Sequence, residues 1–75
     1  MKNEKTPRHI KIIINGFPEL VRENASISEL IILYREGDAD LIVEHNGVFV
    51  RPARYESARV LPEDRLEFIN PNFGG

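Results

Sequence analysis

At 75 residues the chain has room for one small domain, which buries only about 60% of its unfolded surface and leaves no space for a deep cleft between lobes. The absence of cysteine excludes disulfide staples, and two histidines, His9 and His45, are too few ligands for a tetrahedral metal site. Ten basic against twelve acidic side chains give a net charge of −2, split as +3 over residues 1–11 and −5 over residues 12–75, the reverse of the basic, aromatic-bearing face of a nucleic-acid binder.

Lys2, Lys5, Arg8 and Lys11 make the start of the chain basic, and residues 1–9 read as a flexible charged leader. No charged-then-apolar signal peptide opens the sequence, and no apolar run approaches the roughly 20 residues that span a bilayer. A soluble cytoplasmic protein that contacts neither membrane nor nucleic acid is expected.

Ile10, Ile12 and Ile14 alternate in a β-branched stretch that closes on Asn15-Gly16. This pattern predicts a strand running into a type I′ hairpin turn, whose two central residues need positive φ. The return strand is Phe17 to Arg22, and Pro18 within it points to a sheet edge. From Ala25 to Gly37 the period changes, with Ile27, Leu30, Ile31 and Tyr34 at i, i+3, i+4 and i+7 of a helix. Ser26 with Glu29 three residues on is a capping box, and Gly37 is placed to supply a left-handed stop.

Leu41 to His45 repeats the strand pattern before Asn46-Gly47, and Val48 to Arg51 returns until Pro52 breaks the strand. A loop holding Tyr55 leads to Pro62-Glu63-Asp64, a turn signal, and the last strand runs from Arg65 to Asn70 with Leu66 and Phe68 facing inward. Pro71 ends it. One helix with an apolar stripe must bury it against a sheet face. The element order is that of an α+β, β-grasp (ubiquitin-like) domain over residues 10–70, a mixed four- to five-stranded sheet packed on one main helix. Propensity alone leaves other α+β rolls open.

The segments Lys11–Gly16, Asn24–Leu30, Val43–Gly47, Asp64–Phe68 and the terminal Phe73-Gly74-Gly75 together resemble the ThiS/MoaD family of sulfur-carrier proteins over nearly all of residues 10–75, with spacing most similar to the thiamine-pathway carriers. The resemblance implies that Gly75 is adenylated by an E1-like adenylyltransferase and converted to a thiocarboxylate. A sulfur donor supplies the sulfur, and an acceptor enzyme such as thiazole synthase receives it. The carrier binds no cofactor of its own, and ATP is used by the activating partner.

The chemistry of residues 71–75 fits that expectation. A free α-carboxyl ionises with a pKa of about 3.3–3.7 and is a poor electrophile until ATP converts it to a mixed anhydride. The chain has no phosphate-cradling loop, no paired histidine and nucleophile, and no metal ligand set, so it is expected to be a substrate rather than an enzyme. Gly74 and Gly75 lack a Cβ and can thread a narrow channel. Pro71 to Gly75 read as a flexible tail spanning at most roughly 17 Å, with Phe73 a partner-binding residue. Without cysteine no persulfide can form on a side chain. The plainer alternative for Gly-Gly is a frayed end.

Strand alternation turns Ile13, Ile42 and Ile69 outward on three strands that a β-grasp makes neighbours. They are expected to form a docking patch beside the base of the tail, against the alternative of scattered surface hydrophobes. His45 is in phase with Val43 and reads as a histidine at the core edge. Tyr55 reads as covering the end of the core, and Glu63 and Asp64 as a solvated turn. A molybdopterin synthase small subunit, an amino-acid-pathway sulfur carrier, a ubiquitin-like protein modifier and an interaction module with an inert tail are the alternative functions.

Overall fold

The computed structural model describes residues 8–71. Phe73, Gly74, Gly75 and the first seven residues of the charged leader lie outside the described residues. Strands β1 (His9–Ile14), β2 (Phe17–Arg22), β3 (Ile42–His45), β4 (Val48–Val50) and β5 (Arg65–Ile69) form one sheet in the order β2-β1-β5-β3-β4. Only the central pair β1 and β5 runs parallel. Helix α1 (Ile27–Leu33) packs on one face, and a short 3-10 turn, Pro52–Arg54, follows β4. This is the β-grasp arrangement, with Pro18 on edge strand β2 as expected.

The two faces of the sheet follow from the alternation. Ile12, Ile14, Val43, Leu66 and Phe68 point toward the helix and are buried with Ile27, Leu30, Val21, Ala25 and Val60. Each fully buried side chain of this size contributes about 1.5–3 kcal/mol. Leu41, expected as an inward strand residue, lies just before β3 and only borders the core, beside Ile10, Ile31, Tyr34 and Tyr55. Tyr55 thus covers the core end as read from the sequence.

The helix start is fully capped. Ser26 Oγ accepts the Glu29 N–H at 3.0 Å while Glu29 Oε1 accepts the Ser26 N–H at 2.8 Å, completing the capping box. The hydrogen bond from the Ser26 N–H, helped by the charge of Arg22, outweighs burial, which acts the other way, and holds the Glu29 carboxyl below its ordinary range. The remaining amides of the first turn, of Ile27 and Ser28, donate to the carbonyls of Ala58 and Tyr55. The loop after β4 is therefore fastened to the helix by satisfying donors that a helix start always leaves open.

The helix end departs from expectation. Gly37 is not the left-handed residue; Arg35 is, at φ 57°. Its N–H donates to Ile32 O at 3.1 Å and the Glu36 N–H to Ile31 O at 2.9 Å, the two bonds of a Schellman motif. The helix stops here because its buried stripe ends at Tyr34, which donates its hydroxyl to Glu19 on β2 at 3.2 Å. Beyond Tyr34 the sequence Arg35-Glu36-Gly37-Asp38 offers nothing apolar to bury.

Candidate functional site

Strand β5 delivers the chain to its terminal segment, and two identical dipeptides hold that strand from either side. In Asn15-Gly16 and Asn46-Gly47 both residues adopt positive φ, 52° and 88° in the first turn and 53° and 82° in the second, as a type I′ turn requires. Each asparagine then turns its side chain onto β5. Asn15 Oδ1 accepts the Phe68 N–H at 2.8 Å and Asn46 Oδ1 accepts the Arg65 N–H at 2.8 Å. The backbone amides of the same asparagines donate to Leu66 O at 2.9 Å and Arg65 O at 2.7 Å.

A third anchor stands where β5 ends. Asn70 Nδ2 donates to Glu36 Oε1 at 3.0 Å, joining the residue after β5 to the segment after α1. A fourth stands where β5 begins. Asp64 Oδ2 accepts from the Leu61 N–H at 2.8 Å and lies 2.7 Å from His45 Nε2, while Oδ1 accepts from Asn46 Nδ2 at 3.1 Å. Burial pushes the Asp64 carboxyl up, but the hydrogen bonds from Leu61, His45 and Asn46 outweigh it and hold the group below its ordinary 3.8. An ionised carboxylate only accepts, so His45 Nε2 carries the proton in this contact.

The expectation of a solvated Glu63-Asp64 turn is therefore corrected for Asp64. Glu63 is exposed and pairs with Lys11 at 3.4 Å, but the Asp64 side chain is only 13% exposed. The turn needs an acceptor for the Leu61 amide, and Asp64 supplies it while reaching β3. His45, at 20% side-chain exposure, is the core-edge histidine the alternation indicated.

On the outer face the three isoleucines are half-buried. Ile42 and Ile69 are register partners on β3 and β5, two residues ahead of Pro71. Ile13 is level with Arg65, at the other end of β5. The sheet thus brings two of the three together at the base of the terminal segment and sets the third apart. Between these levels Glu44 stands opposite Glu67, and Phe49 opposite Glu44 on β4. Sequence reasoning passed over Asn15, Asn46, Asp64 and Asn70 as anchors, although the repeated Asn-Gly was the available signal for two of them.

No group of three or more His, Cys, Asp or Glu among the described residues could hold a metal ion. No helix among them is long and apolar enough to cross a membrane. Phe73, Gly74 and Gly75, outside the described residues, are not placed relative to this face.

The ThiS family model matches residues 6–75. The fold is similar to the crystal structure of a thiamine biosynthesis protein (ThiS) from Geobacter metallireducens, with a TM-score of 0.75 and 26% identity over 88% of this chain and 97% of that one. No curated protein matches the chain.

Proposed function

Because this chain belongs to the ThiS family, we propose that it is a sulfur carrier, not an enzyme, that works with partner enzymes in the cytoplasm and supplies sulfur for the thiazole of thiamine. The observation that carries this reading is the family match running through Gly75. The reactive atom is the carbonyl carbon of Gly75. A carboxylate oxygen attacks the α-phosphorus of ATP on an activating adenylyltransferase, and pyrophosphate leaves. A hydrosulfide equivalent from a sulfur donor then adds to the acyl carbon, forming the C–S bond as the C–O bond to AMP breaks. The product thiocarboxylate donates its sulfur to an acceptor such as thiazole synthase.

The part assigned to this fold is positioning. The adenylating chemistry must come from the partner, since a carboxylate is unreactive without activation. The Asn15, Asn46, Asp64 and Asn70 anchors fix both ends of β5, so the body would dock as a rigid unit while residues 71–75 enter the partner's active site. Ile42 and Ile69 lie at the base of that segment and are assigned to the docking surface, together with Phe73; Ile13 contributes at its far end. The test is ATP–pyrophosphate exchange by the adenylyltransferase of the same genome. Exchange is expected with the full chain and lost when Gly74 and Gly75 are deleted; exchange that survives the deletion would overturn the assignment.

A further inference from the structure

Of the asparagines in the chain, only Asn15 and Asn46 are followed by glycine. The backbone nitrogen of the next residue can attack an asparagine side-chain amide where nothing crowds it, and glycine, without a Cβ, crowds it least. Gly16 and Gly47 are exposed, and nothing lies within 4 Å of the place a Cβ would take on either. Neither glycine N–H donates a hydrogen bond among the described residues. The two turns thus hold the same reactive pair in the same backbone, and they differ in what must break before the side chain can leave β5.

Asn15 Oδ1 accepts the Phe68 N–H in a partly buried bond, and Phe68 is only 5% exposed in the middle of β5. Releasing that bond strands a buried donor, the costly case. Asn46 makes two side-chain bonds, to the Arg65 N–H and to Asp64, but both are exposed, and Arg65 is the first residue of β5. Water can replace an exposed partner, and the end of a strand opens more readily than its middle.

We propose that Asn46 is the position at which the folded protein deamidates. The Gly47 nitrogen adds to Asn46 Cγ and closes a five-membered succinimide; its proton passes to solvent, and the side-chain nitrogen leaves as ammonia. Water then opens the ring, giving aspartate by attack at Cγ or isoaspartate, with one more methylene in the backbone, by attack at the main-chain carbonyl. The net change is one water taken up and one ammonia released, so the step needs only solvent and proceeds whether or not Gly75 carries sulfur.

The two sites also differ in what the product does. Asn46 Nδ2 donates to Asp64 Oδ1 at 3.1 Å, whereas a carboxylate at position 46 has no proton to donate and faces Asp64 as a like charge. Asp64 also holds the Leu61 N–H and His45, so deamidation there loosens the tie between β3 and the start of β5. At position 15 a carboxylate still accepts the Phe68 N–H, the one side-chain bond of Asn15 among the described residues.

The test incubates the full-length wild type at neutral pH below its melting temperature, with a parallel sample unfolded in urea. Peptide mapping by mass spectrometry follows aspartate plus isoaspartate at each position over time. In the folded protein position 46 is expected to convert roughly fivefold faster than position 15, and in urea the two are expected to convert at similar rates. Equal rates or faster conversion at position 15 in the folded protein would overturn the proposal, as would no conversion at position 46 over a time that converts both sites in urea. A preference for position 46 that persists in urea would assign the difference to neighbouring sequence and also overturn it. Thermal unfolding of Asn46→Asp and Asn15→Asp tests the consequence: the first is expected to melt several degrees below wild type and the second close to it, and equal shifts would overturn the link to Asp64.

Discussion

Asp64 and His45, nineteen residues apart in the chain, meet with Oδ2 and Nε2 2.7 Å apart, and this contact ties the start of β5 to the end of β3. Because the folded Asp64 carboxyl ionises below its ordinary value, its ionised form stabilises the fold above the unfolded value of about 3.9. That contribution is lost as pH falls through the folded value. Wild type is therefore expected to lose stability below about pH 4 more steeply than Asp64→Asn. At neutral pH the variant should be less stable by about 1–3 kcal/mol, since partly buried donors lose their acceptor. Thermal unfolding from pH 3 to 7 checks both; parallel profiles would contradict the role given to Asp64.

Arg35 occupies the left-handed position that ends the helix, at φ 57°. A side chain there costs about 1–2 kcal/mol relative to a right-handed conformation, and glycine avoids it. Arg35→Gly is expected to raise stability by about 1 kcal/mol in denaturant unfolding, with the Schellman bonds kept. A loss of stability would mean that the arginine side chain makes a contribution the backbone geometry does not reveal.

Asn46 has two roles that can be separated by substitution. Asn46→Gly keeps the positive φ of the turn but removes the bonds to Arg65 N–H and Asp64, and should destabilise by about 1–2 kcal/mol. Asn46→Ala loses the same bonds and adds left-handed strain, so it should be worse by about 1 kcal/mol. Equal effects of glycine and alanine in equilibrium unfolding would contradict the separation.

How much of this was legible follows from the range of each interaction. The first hairpin, the capping box and the inward rows Ile12/Ile14 and Leu66/Phe68 are written in spacings of one to four residues, and the sequence carries them directly. The partners of Asn15, Asn46, Asp64 and Asn70 lie 53, 19, 19 and 34 residues away, so a local pattern shows the turn but not what the side chain then holds. Gly37 was the natural helix stop by propensity, yet the stop is set by where Tyr34 meets Glu19, a tertiary contact. The isoleucine row was legible as outward-facing, but the parallel offset of β1 against β5, which parts Ile13 from Ile69, was not.

Ile42 is half-buried beside its register partner Ile69, so a charge there should spoil the proposed docking surface more than the core. Ile42→Asp is expected to keep the far-ultraviolet circular dichroism of wild type and to weaken adenylyltransferase binding by about tenfold. Binding at wild-type strength would remove Ile42 from the docking surface.

The central claim, that Gly75 carries sulfur, is tested most directly by the intact mass of the full chain after incubation with ATP, the adenylyltransferase of the same genome and a sulfide source. The account predicts a mass gain equal to one sulfur-for-oxygen exchange, localised to Gly75 and lost when Gly74 and Gly75 are deleted. An unchanged mass, or an isopeptide bond between Gly75 and a lysine of another protein, would contradict it.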